Sequence, residues 1–294
     1  MKDKPSIAEV ANLVPEATDL REIGSGGYKV VYLAKIRGQS EAIKLVRIPT
    51  DVNDPSTREE NIRRIEREIG ILRQCRTPNL VKLGSIVPRP AQIGSEGYVL
   101  YSEEFIPGRS LRELINGGHR PTAQDLATVG VCLLHAVGEL SAMNVIHRDI
   151  KPENIMQAEL PGRRYIVLDL GIAFQVGGTP ITRDAGRIPG TLYYIAPEML
   201  DVGFRQNLDY RADLYTIGLT LYEYASGRNP FKDPSDPPFS TLYRIKTLTP
   251  APLASHRPDL PNEFCGLVDQ LMKKIPALRP SGVPTLLGRM EGFQ

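Results

Sequence analysis

The sequence changes its period at Pro107-Gly108, and that switch limits the folds open to it. Before it, apolar residues fall in short runs that read as strands. Residues 20–23 and 30–34 flank a Gly-Ser-Gly-Gly turn, 41–46 follow the small turn Arg37-Gly38-Gln39-Ser40, and 98–103 make another strand. Among them Ile62, Ile65, Ile69 and Leu72 recur at helical spacing, so one main amphipathic helix is expected. After the switch the pattern is helical. Thr122-Ala123-Gln124-Asp125 has the form of a capping box opening an apolar helix through Val129, Leu133 and Leu140. Residues 214–224 are apolar almost all round, which predicts a helix buried on every side. The proline-rich stretch 230–261 reads as irregular loops, with Phe231, Phe239, Leu242 and Ile245 available for packing. The fold class is therefore α+β: a small antiparallel sheet, then a larger, mainly helical part. The expected boundaries are an extension (1–19), a first lobe (20–103), a hinge (104–107) and a second lobe (108–294).

Charge and cysteine usage narrow the function classes. Lys and Arg total 36 against 34 Asp and Glu, a net charge of +2, so no basic coat for nucleic acid exists. The basic stretch 62–68 is interleaved with acids and reads as a solvated helix face. Cys75, Cys132 and Cys265 lie far apart and form no CxxC pair, which argues against a disulfide framework or a zinc knuckle and fits reduced thiols in the cytoplasm. No apolar run approaches the ~20 residues that span a bilayer, and the N-terminus lacks a signal-peptide core. No direct membrane segment is expected.

Three segments carry chemistry. Gly24-Ser25-Gly26-Gly27 joins two strands, and glycines let backbone amides come close to phosphate oxygens. A plain hairpin turn has the same residues. Val31 and Ala42, on the next two strands, are placed to sandwich a flat base. Lys44 stands mid-strand between apolar residues, where a charge needs an anionic partner. Glu68 on the amphipathic helix is the candidate, with Glu59 and Glu66 as rivals. The densest cluster is His147-Arg148-Asp149-Ile150-Lys151-Pro152-Glu153-Asn154, an acid, a cation and an amide broken by a proline. Soon after, 165–168 reads as a buried strand ending in Asp169-Leu170-Gly171. An acid there, with Asn154, suits a hard cation such as magnesium whose remaining ligands are phosphates and water.

In this order the segments resemble the catalytic core of a eukaryotic-type (Hanks-type) serine/threonine protein kinase, over about residues 20–285. Residues 147–154 match its catalytic loop in full, Asp169-Leu170-Gly171 its metal-binding motif with Leu for Phe, and Ala196-Pro197-Glu198 the close of its activation segment. Gly190-Thr191-x-x-Tyr194 resembles the substrate loop of the Ser/Thr-specific members. The resemblance implies a bilobal kinase fold and transfer of the γ-phosphoryl group of ATP to Ser or Thr of protein substrates, with Mg²⁺, or Mn²⁺ in its place. It implies that Lys44 binds phosphates and pairs with Glu68, that Asp149 takes or orients the hydroxyl proton, that Lys151 steadies the phosphoryl group, and that Thr191 bridges the two. Asn154 and Asp169 hold the metal. Ile23, Gly24, Ser25, Gly26, Gly27, Val31, Ala42, Met156, Glu103 just before the hinge, and the hinge residues Glu104, Phe105 and Ile106 surround the nucleotide. Asp213 caps the catalytic-loop backbone, Glu198 and Arg279 form a structural ion pair, and Leu72, Leu83, His147 and Leu170 form an apolar column. Arg148 receives an activation-loop phosphate on Thr179 or Thr182, added by autophosphorylation, and two copies pairing during activation fits the same pattern.

Three departures stand out. Lys29, read as solvent-exposed, replaces the usual third glycine. Glu103 aligns where the family usually has an apolar or small residue, so its carboxylate must be solvated or paired. Pro161-Gly162-Arg163-Arg164 lengthens the loop before Asp169 and reads as an extended hairpin turn. Two rival readings are a nucleotide-binding pseudokinase and a small-molecule kinase. The intact Lys44, Asp149, Asn154 and Asp169 oppose the first. Ala196-Pro197-Glu198 and Lys151-Pro152-Glu153 oppose the second.

Overall fold

The structure is a computed structural model that describes residues 4–26, 29–48, 59, 62–63, 65–66, 69–170, 193–201, 208–233, 235 and 238–294. Two compact units divide between Ile106 and Pro107, inside the expected hinge, with the short return Thr77–Leu80 grouped with the second unit.

The first unit is an antiparallel sheet of β1 (Ala17–Ser25), β2 (Lys29–Ile36), β3 (Gln39–Arg47), β4 (Arg89–Ile93) and β5 (Glu96–Glu104), in the order β1-β2-β3-β5-β4. Arg37 and Gly38 both have positive φ, 50° and 82°, between paired Ile36 and Gln39. That is the two-residue turn whose twist matches a hairpin. Strand alternation sends Val30, Tyr32, Ala34 and Ile36 of β2 to one face, with Ile43 and Leu45 of β3 and Tyr98 and Leu100 of β5. Val10 and Val14, fully buried, close that face.

Val10 lies in, and Val14 caps, a helix the sequence reading did not expect. α1 (Ile7–Leu13) opens with a capping box in which the Glu9 amide donates to the Ser6 hydroxyl and the Ser6 amide to the Glu9 carboxylate. The Tyr32 hydroxyl donates to the Pro5 carbonyl, and Arg89 donates to the Leu13 carbonyl at 2.8 Å. Residues assigned to an extension (1–19) thus complete the first unit's core and begin β1. The expected amphipathic helix is present as helical residues at 59, 62–63, 65–66 and 69–71, with Ile65, Ile69 and Leu72 buried. The unit therefore has more than the one main helix expected.

The second unit carries a small sheet of β6 (Gly108–Ser110), β7 (Ile155–Leu160) and β8 (Arg163–Val167), in that order. Its helices, among the described residues, are α2 (Leu111–Asn116), α3 (Ala123–Ala142), α4 (Arg211–Ser226), α5 (Pro238–Thr247), α6 (Leu253–His256), α7 (Asn262–Leu271) and α8 (Val283–Glu291). The Thr122–Asp125 capping box opens α3 as read. α4 is buried at every residue from Ala212 to Ala225. Gly218 of α4 lies so close to α7 that an added Cβ would come within 2.7 Å of the Leu271 Cβ. At Gly130 of α3 it would meet the flexible Met290 side chain, at 2.8 Å from Sδ and Cε and 2.9 Å from Cγ.

Two expectations are corrected here. Residues 230–261 are not irregular throughout, because α5 and α6 lie inside them and Phe231 and Ile245 are fully buried. Pro252 and Pro261 stand just before helices, where a missing N–H costs no hydrogen bond. The Phe239 side chain lies outside the described residues. Second, α3 is long and apolar enough to cross a membrane by length and composition, although no unbroken apolar run marks it. Its Leu126, Val129, Leu133, Val137 and Leu140 are buried within the unit. The loop before Asp169 is a hairpin with only Pro161 and Gly162 at its tip. Leu160 pairs with Arg163, and both arginines belong to β8. All three cysteines are buried thiols outside any disulfide.

Candidate active site

In the first unit, register decides which side chains meet. Val31 pairs with Lys44, Ala42 with Glu103, and Lys44 with Tyr101. Directly opposed residues share a face, so these five lie on the face opposite the one α1 covers. Lys44 is 3% exposed and Glu103 2%. The Lys44 ammonium donates to Glu103 Oε2 and stands 5.8 Å from the centre of the Tyr101 ring. The carboxylate flagged by the sequence as out of place is therefore paired, and its partner is the lysine expected to bind phosphate. Glu68 and Gly27 lie outside the described residues. Of the rivals, Glu59 pairs with exposed Arg63 at 3.2 Å and Glu66 is half-buried.

The glycine turn closes with the Gly26 amide on the Lys29 carbonyl at 2.7 Å, while Gly24 faces Val31 across the ladder. Ile23 is exposed and Ser25 ends β1. Lys29 is half-buried at the start of β2, not exposed as expected. At the hinge, Glu104 accepts the Lys82 amide at 2.8 Å, Phe105 donates to the Ser40 carbonyl at 3.3 Å, and Ile106 is buried. Leu72 and Leu170 are buried, and Leu83 is half-buried beside Glu103, with which it forms an isolated bridge.

In the second unit the segment after α3 is held from below by α4. Asp213, 1% exposed, accepts the backbone amides of His147 at 2.7 Å and Arg148 at 2.9 Å. Arg148 sits at φ 65°, a left-handed conformation costly for a side chain of this size, and the two amides on one carboxylate hold it there. Burial pushes the Asp213 carboxyl up to about 6, against the pull of those amides. Burial likewise pushes the His147 imidazole down to about 4, while the charge of Asp169 pulls it up. His147 is fully buried, and its Nδ1 accepts the Asp149 amide at 3.4 Å.

The Asp149 carboxylate gathers the chemistry of the loop. Lys151 Nζ reaches its two oxygens at 2.7 and 2.8 Å, and Asn154 Nδ2 donates to it at 2.7 Å and to the Asp149 carbonyl at 2.9 Å. Pro152 begins the single 3₁₀ turn that brings Asn154 round. The Leu168 amide donates to the Asn154 carbonyl at 2.7 Å, which places Asp169, at φ 52°, one residue from that contact. Met156 is half-buried on β7.

Around this loop, Arg279 grips both oxygens of Glu198 at 2.6 and 2.7 Å. Arg112 was not singled out by the sequence reading. It donates to Glu153 at 2.8 Å, to Glu223 at 2.7 Å and to the Tyr194 hydroxyl, and lines a cavity of about 220 Å³ with Tyr193, Asn229 and Lys232. A sequence signal existed in Glu223, a carboxylate inside the otherwise apolar run of α4. Thr179, Thr182 and Thr191 lie outside the described residues.

A family model described as the protein kinase domain matches residues 17–288. A probable serine/threonine-protein kinase of Clostridium perfringens is 26% identical over 92% of this chain and 37% of its own length. The serine/threonine-protein kinase PrkC of Bacillus subtilis is 30% identical over 72% of this chain and 30% of its own. The chain thus spans about a third of the length of these curated relatives. The PknI kinase domain of Mycobacterium tuberculosis superposes with a TM-score of 0.65 at 20% identity, covering 95% of each chain.

Proposed function

This chain belongs to the protein kinase domain family, and from that premise we propose that it transfers the γ-phosphoryl group of ATP to Ser and Thr hydroxyls of protein substrates. The observation that supports it best is the Asp149 carboxylate held jointly by Lys151 and Asn154. A carboxylate so placed accepts the proton of an attacking hydroxyl, while Lys151 remains beside it to steady the transferring group. The hydroxyl oxygen bonds to the γ-phosphorus, the bond to the β-phosphate oxygen breaks, ADP leaves, and the proton passes to Asp149. On this reading Lys44 is a ligand of the nucleotide's phosphates, on the same sheet face as Val31 and Ala42.

The donor set fits a divalent cation. The Asn154 amide nitrogen is engaged with Asp149, so its oxygen is the atom it offers a metal, and Asp169 adds a carboxylate from the neighbouring strand end. A bound magnesium or manganese ion supplies charge neutralisation on the phosphate oxygens. Autophosphorylation at Thr179 or Thr182, read out by Arg148, belongs to this reading, as does a signalling role in the cytoplasm. Three buried cysteines outside any disulfide support that compartment.

Radiolabelled ATP with magnesium and a generic basic protein tests the proposal. The expected result is label on Ser and Thr, falling about 10²–10⁴-fold for Asp149→Asn with nucleotide binding retained. Nucleotide binding without transfer by the unaltered chain would make it a pseudokinase. Label on small molecules alone would make it a kinase of another substrate class.

A further inference from the structure

We infer that Glu103 competes with nucleotide phosphate for Lys44, which makes it a positioning residue that sets how tightly phosphorylated nucleotides bind. The inference rests on the proposed function, in which Lys44 is the phosphate ligand.

The argument begins with register. Ala42 pairs with Glu103, and Lys44 lies two residues along β3, so the lysine and the carboxylate are diagonal neighbours on one face. Their side chains are only 4% and 2% exposed, and the ammonium donates directly to Oε2. Water screens such a pair little, and the neighbouring Val31, Ala42 and Tyr101 do not dilute its field. An arriving phosphate meets an ammonium that already has a carboxylate on it. The ammonium has further N–H donors for a phosphate, but the Glu103 carboxylate on it repels that phosphate at short range. That repulsion raises the free energy of the phosphate-bound state and acts less on the uncharged base. A buried carboxylate at this point of β5 is therefore a selective brake on the phosphate-bearing part of the ligand.

Glu103→Gln keeps the shape and an acceptor oxygen but removes the charge. The test compares equilibrium binding of ADP and of adenosine, which has the base and no phosphate. The expected result is about tenfold tighter ADP binding, with a smaller change for adenosine. ADP binding that is equal or weaker in the variant overturns the competition, and so does an equal gain for adenosine, which would place the effect at the base. If the unaltered chain binds neither compound, the proposed function itself fails.

A second measurement needs no ligand. Thermal unfolding of Lys44→Met, Glu103→Met and the double variant reports the pair directly. Each single change takes from the other residue a direct partner of opposite charge, so the two single shifts should not sum to that of the double change. Additive shifts would show that the two groups do not act on each other, and would overturn the inference whatever the nucleotide data say.

Discussion

Arg279 illustrates how single side chains fasten the second unit. Its guanidinium takes both Glu198 oxygens and three backbone carbonyls, those of Arg211, Lys273 and Lys274, while its side chain has no exposure. Glu198→Ala leaves that cation buried without its carboxylate, so chemical denaturation should show a loss of about 3–5 kcal/mol. Asp213 and His147 make a different prediction. The Asp213 carboxyl is raised to about 6 in the fold, so between about pH 4 and 6 the folded chain holds the extra proton and stability falls as pH rises. The His147 imidazole is lowered to about 4, so there the unfolded chain holds the extra proton and stability rises with pH. The two slopes oppose each other. Asp213→Asn removes one of them, and stability should then climb with pH between about pH 4.5 and 6. Urea midpoints measured at several pH values check this, and a flat profile in the variant would remove His147 from the account.

Among the elements, α4 packs closely on α7 at Gly218. Gly218→Ala must displace Leu271 at its backbone-proximal Cβ, whereas Gly130→Ala displaces the flexible side chain of Met290. Thermal unfolding should therefore show the larger loss at Gly218, on the order of 1–3 kcal/mol, while the gain in helix propensity offsets much of the loss at Gly130. The same physics explains what the sequence could disclose. α4 is legible because nothing polar interrupts Leu214–Leu219 except Thr216, and β2 because residues 30–34 form a short apolar run beside the glycine turn. α1 is only two turns long, and its signal was the Ser6–Glu9 capping box, not an apolar stripe. β4 carries Pro90 and little apolar patterning, so only its ladder with β5 defines it. The catalytic loop was legible because its residues are contiguous. The Lys44–Glu103 pair was not, because it joins positions 59 residues apart and exists only once β3 and β5 are in register.

On the scale of the whole molecule, each unit has its own core and its own share of the candidate chemistry. Lys44 and the glycine turn belong to the first unit, Asp149, Asn154 and Asp169 to the second. A chain that carries both shares should modify itself. Incubation with ATP and magnesium should leave phosphate on Thr179 or Thr182, and mass spectrometry finding none between Gly171 and Gly190 would remove self-activation from the proposed function. The buried cysteines give the two-unit construction a practical use. Cys75 reports on the first unit, Cys132 and Cys265 on the second, and burial raises the thiols of the latter two, Cys132 up to about 12. A thiol-alkylating reagent at neutral pH thus reaches them chiefly when the surrounding core opens. The unmodified chain carries a built-in clock for each half, and pulsed alkylation followed by peptide mapping would time their opening separately.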